Sequence, residues 1–257
     1  MELEPPVGMS RIEYASGELR LAAYWGKPAT DEPAPAVIYF HGDFALATTH
    51  LEDASRFMEA GFAVLVPTLR GENGNPGRLE LLYGEVDDAI AAVRWLADRP
   101  EVDADRIWSI GHSVGGALSA LLALHPEVPL RETASVNGIY VPETFVRWSK
   151  NANAELVRFD PADRDELELR TLVPNVRDMV RPHVAYIGTE DRWFIPNARR
   201  GEDEARRHGK RFEVVLVPGD HMSSLPTALD AFILRIRDAD GTGPRGPMSR
   251  LADSGNE

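Results

Sequence analysis

An alternation of short β-rich runs with helix-period segments restricts what this chain can fold into more than any other feature. Runs rich in β-branched, aromatic and other apolar residues lie at 11–13, 19–24, 36–40, 62–67, 106–110, 134–140, 183–188 and 212–217. From the third run onward, segments with an apolar period near 3.6 intervene or follow, at about 51–60, 84–98, 114–124, 197–208 and 226–237. Strands that feed helices and return to strands predict an α/β fold with a mostly parallel sheet of about eight strands and helices on both faces. Val86, Ala89, Ile90, Val93, Leu96 and Ala97 mark one face of a helix that stops before Pro100. Gly61 closes the helix carrying Leu51, Ala54, Phe57 and Met58.

No internal repeat or linker interrupts this pattern, so residues 10–238 are expected to form a single domain. The polar, Arg/Asp/Glu-rich interval 141–182 is expected to be a small cap-like insertion of one or two helices lying over the sheet's edge. Residues 1–9 and 239–257 contain turn formers without apolar periodicity and are expected to be flexible tails.

Charge and composition exclude several classes of partner and chemistry. With 28 basic against 41 acidic side chains, the net charge of −13 opposes binding to nucleic acid. The one short basic run, Arg199 to Arg211, is interrupted by Glu202, Asp203 and Glu204. The chain has no cysteine, which removes disulfides, thiolate metal sites and a Cys nucleophile. The beginning, MELEPPVGMS, lacks the basic start and apolar stretch of a secretory signal, and a cytoplasmic location is expected. Residues 107–126 carry no Asp, Glu, Lys or Arg, but Gly111, His112, Gly115 and Gly116 in the middle make this a strand, a turn and a helix instead of a membrane span.

Gly111-His112-Ser113-Val114-Gly115 fits G-x-S-x-G, a turn that lifts a serine out of a sheet. Chance alone yields about 0.08 such matches in a chain of this length and composition, so the flanking strand and helix carry the assignment. A serine hydroxyl needs a base, and the base needs an orienting acid, in the chain order Ser, Asp or Glu, His. Of the histidines after Ser113, His125 ends the serine's own helix, His183 opens a strand and His208 lies in a charged helix end. His221 remains, in a loop just beyond the last strand. The acid should follow the preceding strand, where Asp191 is preferred and Glu190, one residue away on the same tight loop, is the alternative. Backbone N–H donors for a developing oxyanion are expected from Val114 and from Asp43 in the loop His41-Gly42-Asp43-Phe44. His41 precedes the serine and is expected to bond that loop instead of acting as the base.

The segments HGDF (41–44), LRGENGNPG (69–77), YGEVDDAIAAVRWLADRPEVDADRIWSIGHSVGG (83–116), GTEDRWFIP (188–196) and PGDH (218–221) span about 180 residues. In order and spacing they resemble the catalytic domain of the prolyl oligopeptidase family, which are α/β-hydrolases. The resemblance implies Ser113 as nucleophile, Asp191 as orienting acid, His221 as base and the Asp43 N–H as an oxyanion donor. Two departures stand out. The family usually has glycine where Asp43 stands, and its peptidases carry a large N-terminal β-propeller, whereas about ten residues precede the first run here.

The reading that follows is a serine hydrolase acting on a carboxylic ester or short peptide, with no metal and no cofactor. Ester cleavage is preferred. A small exopeptidase or amidase is the alternative, and it ranks second because no acidic pair placed for a free amino terminus is visible. A non-catalytic binding protein on the same fold usually lacks a triad member, and all three are present.

Overall fold

Along each central strand the side chains point alternately into two buried layers, as a sheet covered on both faces requires. The structure, a computed structural model, describes residues 3–151, 153–239 and 241. Within them, eight strands form one sheet: β1 (Met9–Ser16), β2 (Leu19–Gly26), β3 (Ala34–Phe40), β4 (Ala63–Pro67), β5 (Val102–His112), β6 (Thr133–Val136), β7 (His183–Gly188) and β8 (Phe212–Val217). Their spatial order is β1-β2-β4-β3-β5-β6-β7-β8. The pairings of β2 with β1 and β4 are antiparallel. All others are parallel, so the strands from β3 to β8 end at one common edge.

Val37 and Tyr39 of β3, Val64 and Val66 of β4, and Trp108 and Ile110 of β5 enter one layer. It is covered by α1 (Thr48–Glu59) and α7 (Leu225–Ala239), whose Phe57 and Phe232 meet edge to face at 6.4 Å. Their neighbours Ala36, Ile38, Phe40, Ala63, Leu65 and Ile107 enter the opposite layer, with α2 (Gly84–Ala97) and α3 (Ser113–Leu121). A third cluster brings Ala185 and Ile187 of β7 and Phe212 and Val214 of β8 under α6 (Phe194–Arg207). Each large apolar side chain fully buried in these layers contributes roughly 1.5–3 kcal/mol relative to exposure. Among the described residues no helix is long and apolar enough to cross a membrane.

Several boundaries differ from the sequence expectation. Strand β1 starts at Met9, and Leu3 N donates to Tyr24 Oη at 3.2 Å, so part of the leading segment is held to the sheet. Strand β6 stops at Val136 instead of running to Tyr140, because Asn137 turns the chain at φ +48. The interval 141–182 contains α4 (Glu143–Trp148), α5 (Arg164–Glu168) and 3-10 turns at Ala154–Leu156 and Val173–Asp178. Its apolar side chains join two cores: Phe145 and Leu167 belong to the α2/α3 core, and Leu172, Val173 and Val176 to the α6 core. These few apolar side chains are hidden in a polar composition. Of the expected tails, residues 1, 2, 240 and 242–257 lie outside the described residues.

One buried charge ties the second layer to the site's approaches. Asp88 of α2 is fully buried and receives Arg70 Nε at 2.9 Å, Arg70 Nη2 at 2.8 Å and Ser16 Oγ at 2.6 Å. Removing one member of such a pair leaves an uncompensated charge and costs about 3–5 kcal/mol. Asp88→Ala should therefore lower the urea unfolding free energy by about that amount. A loss below about 1 kcal/mol would mean that Arg70 is solvated and the pair is not structural.

Candidate active site

At the carboxyl edge of the parallel strands, each chain segment leaves the sheet with one chemically useful group. Ser113 follows β5 at φ +53, a left-handed conformation that costs a non-glycine residue free energy and persists only when neighbours enforce it. The enforcement is steric. A Cβ at Gly115 would lie 2.3 Å from the carbonyl oxygens of Phe40 and His41, and one at Gly111 would lie 2.1 Å from Gly115 O. Helix α3 begins at Ser113, so the first N–H groups of the helix, Val114 included, have no partner within it.

His221, in the loop after β8, bridges two of these segments. Its Nε2 lies 3.1 Å from Ser113 Oγ and its Nδ1 2.8 Å from Asp191 Oδ2. Asp191 is nearly buried, with 10% of its side chain exposed, whereas Glu190 is exposed and supplies its backbone N–H to Gly219 O. The imidazole is packed between Phe194, 4.9 Å away between ring centres, and His112, at 5.1 Å. His41 does not approach the serine's base position and bonds Gly42 and Glu72.

The backbone carbonyl of His221 is held by two side chains that the sequence pattern did not single out. His112 Nε2–H donates to it at 2.9 Å, and Asn137 Nδ2 donates to it at 3.0 Å. Asn137 Nδ2 also reaches Ser224 Oγ at 2.9 Å, while Asn137 Oδ1 accepts from Gly188 N at 2.9 Å. One fully buried amide thus joins the ends of β6 and β7 to the His221 loop. In the sequence Asn137 lies inside the run 134–140, and its only signal was a residue type that tolerates a left-handed turn.

Asp43 and Val114 line a narrow, largely apolar crevice, together with Phe44, Leu79, Leu82 and Leu118. Asp43 is exposed and sits at φ +62, a conformation that Gly and Asp adopt more readily than most residues, so its replacement of glycine keeps the backbone path. Leu81 and Leu82 in the pocket wall are also left-handed, at φ +59 and +65. Buried Glu85 spans their turn by accepting from Glu80 N at 2.7 Å and Tyr83 N at 3.1 Å. Trp148 of α4 stands edge to face with Phe44 at 6.2 Å, and Arg147 lies 4.3 Å from the Trp193 ring centre. Among the described residues no group of three or more His, Asp or Glu is placed to hold a metal ion.

The family model described as X-Pro dipeptidyl-peptidase (S15 family) matches residues 16–178. A curated relative, an uncharacterized protein of Mycobacterium tuberculosis, is 28% identical over 144 residues, covering 53% of this chain and 51% of the relative. The chain thus spans about half the length of that relative. Among solved structures, a puromycin-hydrolyzing peptidase of Mycobacterium tuberculosis superposes with a TM-score of 0.76 at 20% identity, over 94% of this chain and 41% of that one. An acetyl xylan esterase from Paenibacillus sp. R4 gives 0.72 at 19% identity, over 93% and 86%. At these identities the structural likeness establishes the fold, an α/β-hydrolase.

The burial of His112 has a measurable consequence. Desolvation pushes its pKa down to about 4, against a hydrogen bond to His221 O that favours protonation. The unfolded chain takes up this proton near pH 6.5 and the folded chain does not, so the stability from His112 is complete above about pH 6.5 and is lost as pH falls towards about 4. His183, buried on Thr133 and Ser135 and pushed down to about 3, acts in the same direction. The His112 ring resonances should titrate below about pH 5, and titration near 6.5 would contradict the buried donor role.

Proposed function

This chain belongs to the X-Pro dipeptidyl-peptidase (S15) family, and from that premise we propose that it is a serine hydrolase cleaving carboxylic esters through an acyl-enzyme. The observation that carries the reading is His221, with one ring nitrogen on Ser113 Oγ and the other on Asp191 Oδ2. Ser113 Oγ attacks the acyl carbon while His221 Nε2 takes its proton. Asp191 accepts from His221 Nδ1–H and stabilises the imidazolium. The N–H groups of Asp43 and Val114 receive the oxyanion. The ester C–O bond breaks, the alcohol leaves with the proton from His221, and water repeats the sequence to release the acid and restore Ser113.

The substrate in this reading is a small ester or a short peptide, and the narrow apolar crevice beside Val114 and Phe44 favours an apolar group next to the scissile bond. Residues 141–182 serve as a cap on a single domain, 10–238, with Trp148 against Phe44 as its contact with the oxyanion loop. A cytoplasmic setting belongs to the same proposal. A second reading, a small exopeptidase or amidase, is favoured by membership of a peptidase family. A non-catalytic reading gains no support, because Ser113, Asp191 and His221 are all present and in contact.

Ser113→Ala should lower turnover of nitrophenyl esters by several orders of magnitude without changing the thermal melt, leaving a residual rate from the oxyanion donors. Retention of a tenth of the activity in a normally folded variant would remove Ser113 from the mechanism. Comparing nitrophenyl esters with aminoacyl nitroanilides separates the two readings, and faster anilide cleavage would favour the peptidase. Asp191→Asn should cost far more activity than Glu190→Gln, since only the orienting acid sets the histidine tautomer. The reverse ranking would make Glu190 the acid.

A further inference from the structure

The peptide joining Gly42 to Asp43 carries two groups that point opposite ways. No peptide bond among the described residues is cis, so the Gly42 carbonyl and the Asp43 N–H lie in one rigid plane and point in opposite directions. Whatever holds the carbonyl therefore aims the N–H. Gly42 lacks a Cβ and gives this plane little resistance to turning over. A Cβ there would lie 2.8 Å from His112 Nδ1.

The carbonyl is held by an unusual partner. His41 Nδ1 lies 2.7 Å from Gly42 O, and His41 Nε2 lies 3.1 Å from Glu72 Oε2. Both facing atoms are acceptors, one a carbonyl and one a carboxylate. Both ring nitrogens must therefore donate, which only the doubly protonated ring can do. The ring and the carboxylate are 3% and 4% exposed, and the same Glu72 oxygen is fixed by Leu69 N at 2.8 Å.

The other titratable groups around the ring are compatible with that charge. Burial opposes protonation of His41, but Glu72, the Gly42 carbonyl and Asp43 outweigh it and raise its pKa. His50, stacked on His41 at 5.1 Å, is pushed down to about 4 by burial and then by His41 itself. His112, next to Gly42, is likewise held neutral by burial.

We propose that His41 is a positioning residue: as an imidazolium locked to Glu72, it fixes the 42–43 peptide so that the Asp43 N–H faces the oxyanion. The inference rests on the oxyanion role given above to that N–H.

Asparagine and glutamine separate the two ring nitrogens. In His41→Asn the amide nitrogen takes the place of Nδ1 and keeps the bond to Gly42 O. In His41→Gln it takes the place of Nε2 and keeps only the contact with Glu72. With a nitrophenyl ester, kcat should fall about 10²-fold in His41→Gln, the size of one lost oxyanion donor, with KM nearly unchanged. In His41→Asn the loss should be smaller, under about tenfold. Equal losses, or the larger loss in His41→Asn, would overturn the proposal. Should either variant fold poorly, the unaltered protein still decides: nitrogen NMR at about pH 8 should find both His41 ring nitrogens protonated, and a bare Nδ1 would overturn it. Activity that survives in Ser113→Ala would sink the hydrolase reading instead, without touching the protonation result.

Discussion

The site depends on a steric constraint at the end of β5. Ser113 stands clear of the sheet only at a positive φ, and that turn fits only if the residues two before and two after it have no Cβ. The atoms that forbid a Cβ at Gly115 are the last carbonyls of β3 and its loop, Phe40 O and His41 O. The elbow is therefore pressed against the strand that launches the oxyanion loop. Register enforces this closeness, because Phe40 pairs directly with Gly111 in the parallel ladder. Packing that fixes the strands also fixes the distance between nucleophile and loop, and the strain at Ser113 is offset by the two apolar layers beneath it.

A second set of contacts determines where the base sits. A loop histidine would wander if only its ring were bound. Here its backbone carbonyl is gripped by His112, the residue before the nucleophile, and by Asn137, at the end of the next strand. Asn137 also binds Gly188 N, three residues before Asp191. The segments bearing Ser113, Asp191 and His221 thus share one hydrogen-bonded junction, whose members are buried and costly to leave unpaired. The same physics governs the pocket wall, where buried Glu85 stabilises two left-handed leucines that would otherwise relax.

How much of this could be read from the sequence follows from the range of the interactions. Strands and helices were legible because their apolar periods are local, and every strand run of the sequence reading has a counterpart in the sheet. Ser113, Asp191 and His221 were legible because strand order places their loops at one edge, and the structure brings the three into contact. Strand β6 was overextended, because Ile139 and Tyr140 continue the apolar pattern past a turn made by Asn137. Asn137, His112, Glu85 and the Arg70–Asp88 pair were not legible, because their roles are set by partners 2 to 109 residues away whose positions only the folded chain defines. The insertion 141–182 concealed its core contacts for the same reason.

The central claim is that Ser113 is the one hydroxyl made nucleophilic by this arrangement. Locating a covalent adduct tests it most directly: the protein is treated with an alkyl fluorophosphonate, digested, and the modified peptide found by mass spectrometry. The account predicts a single adduct, on Ser113, that forms rapidly at neutral pH and is suppressed when His221 is replaced by alanine. An adduct on another residue, or labelling that proceeds at the same rate without the His221 imidazole, would contradict it.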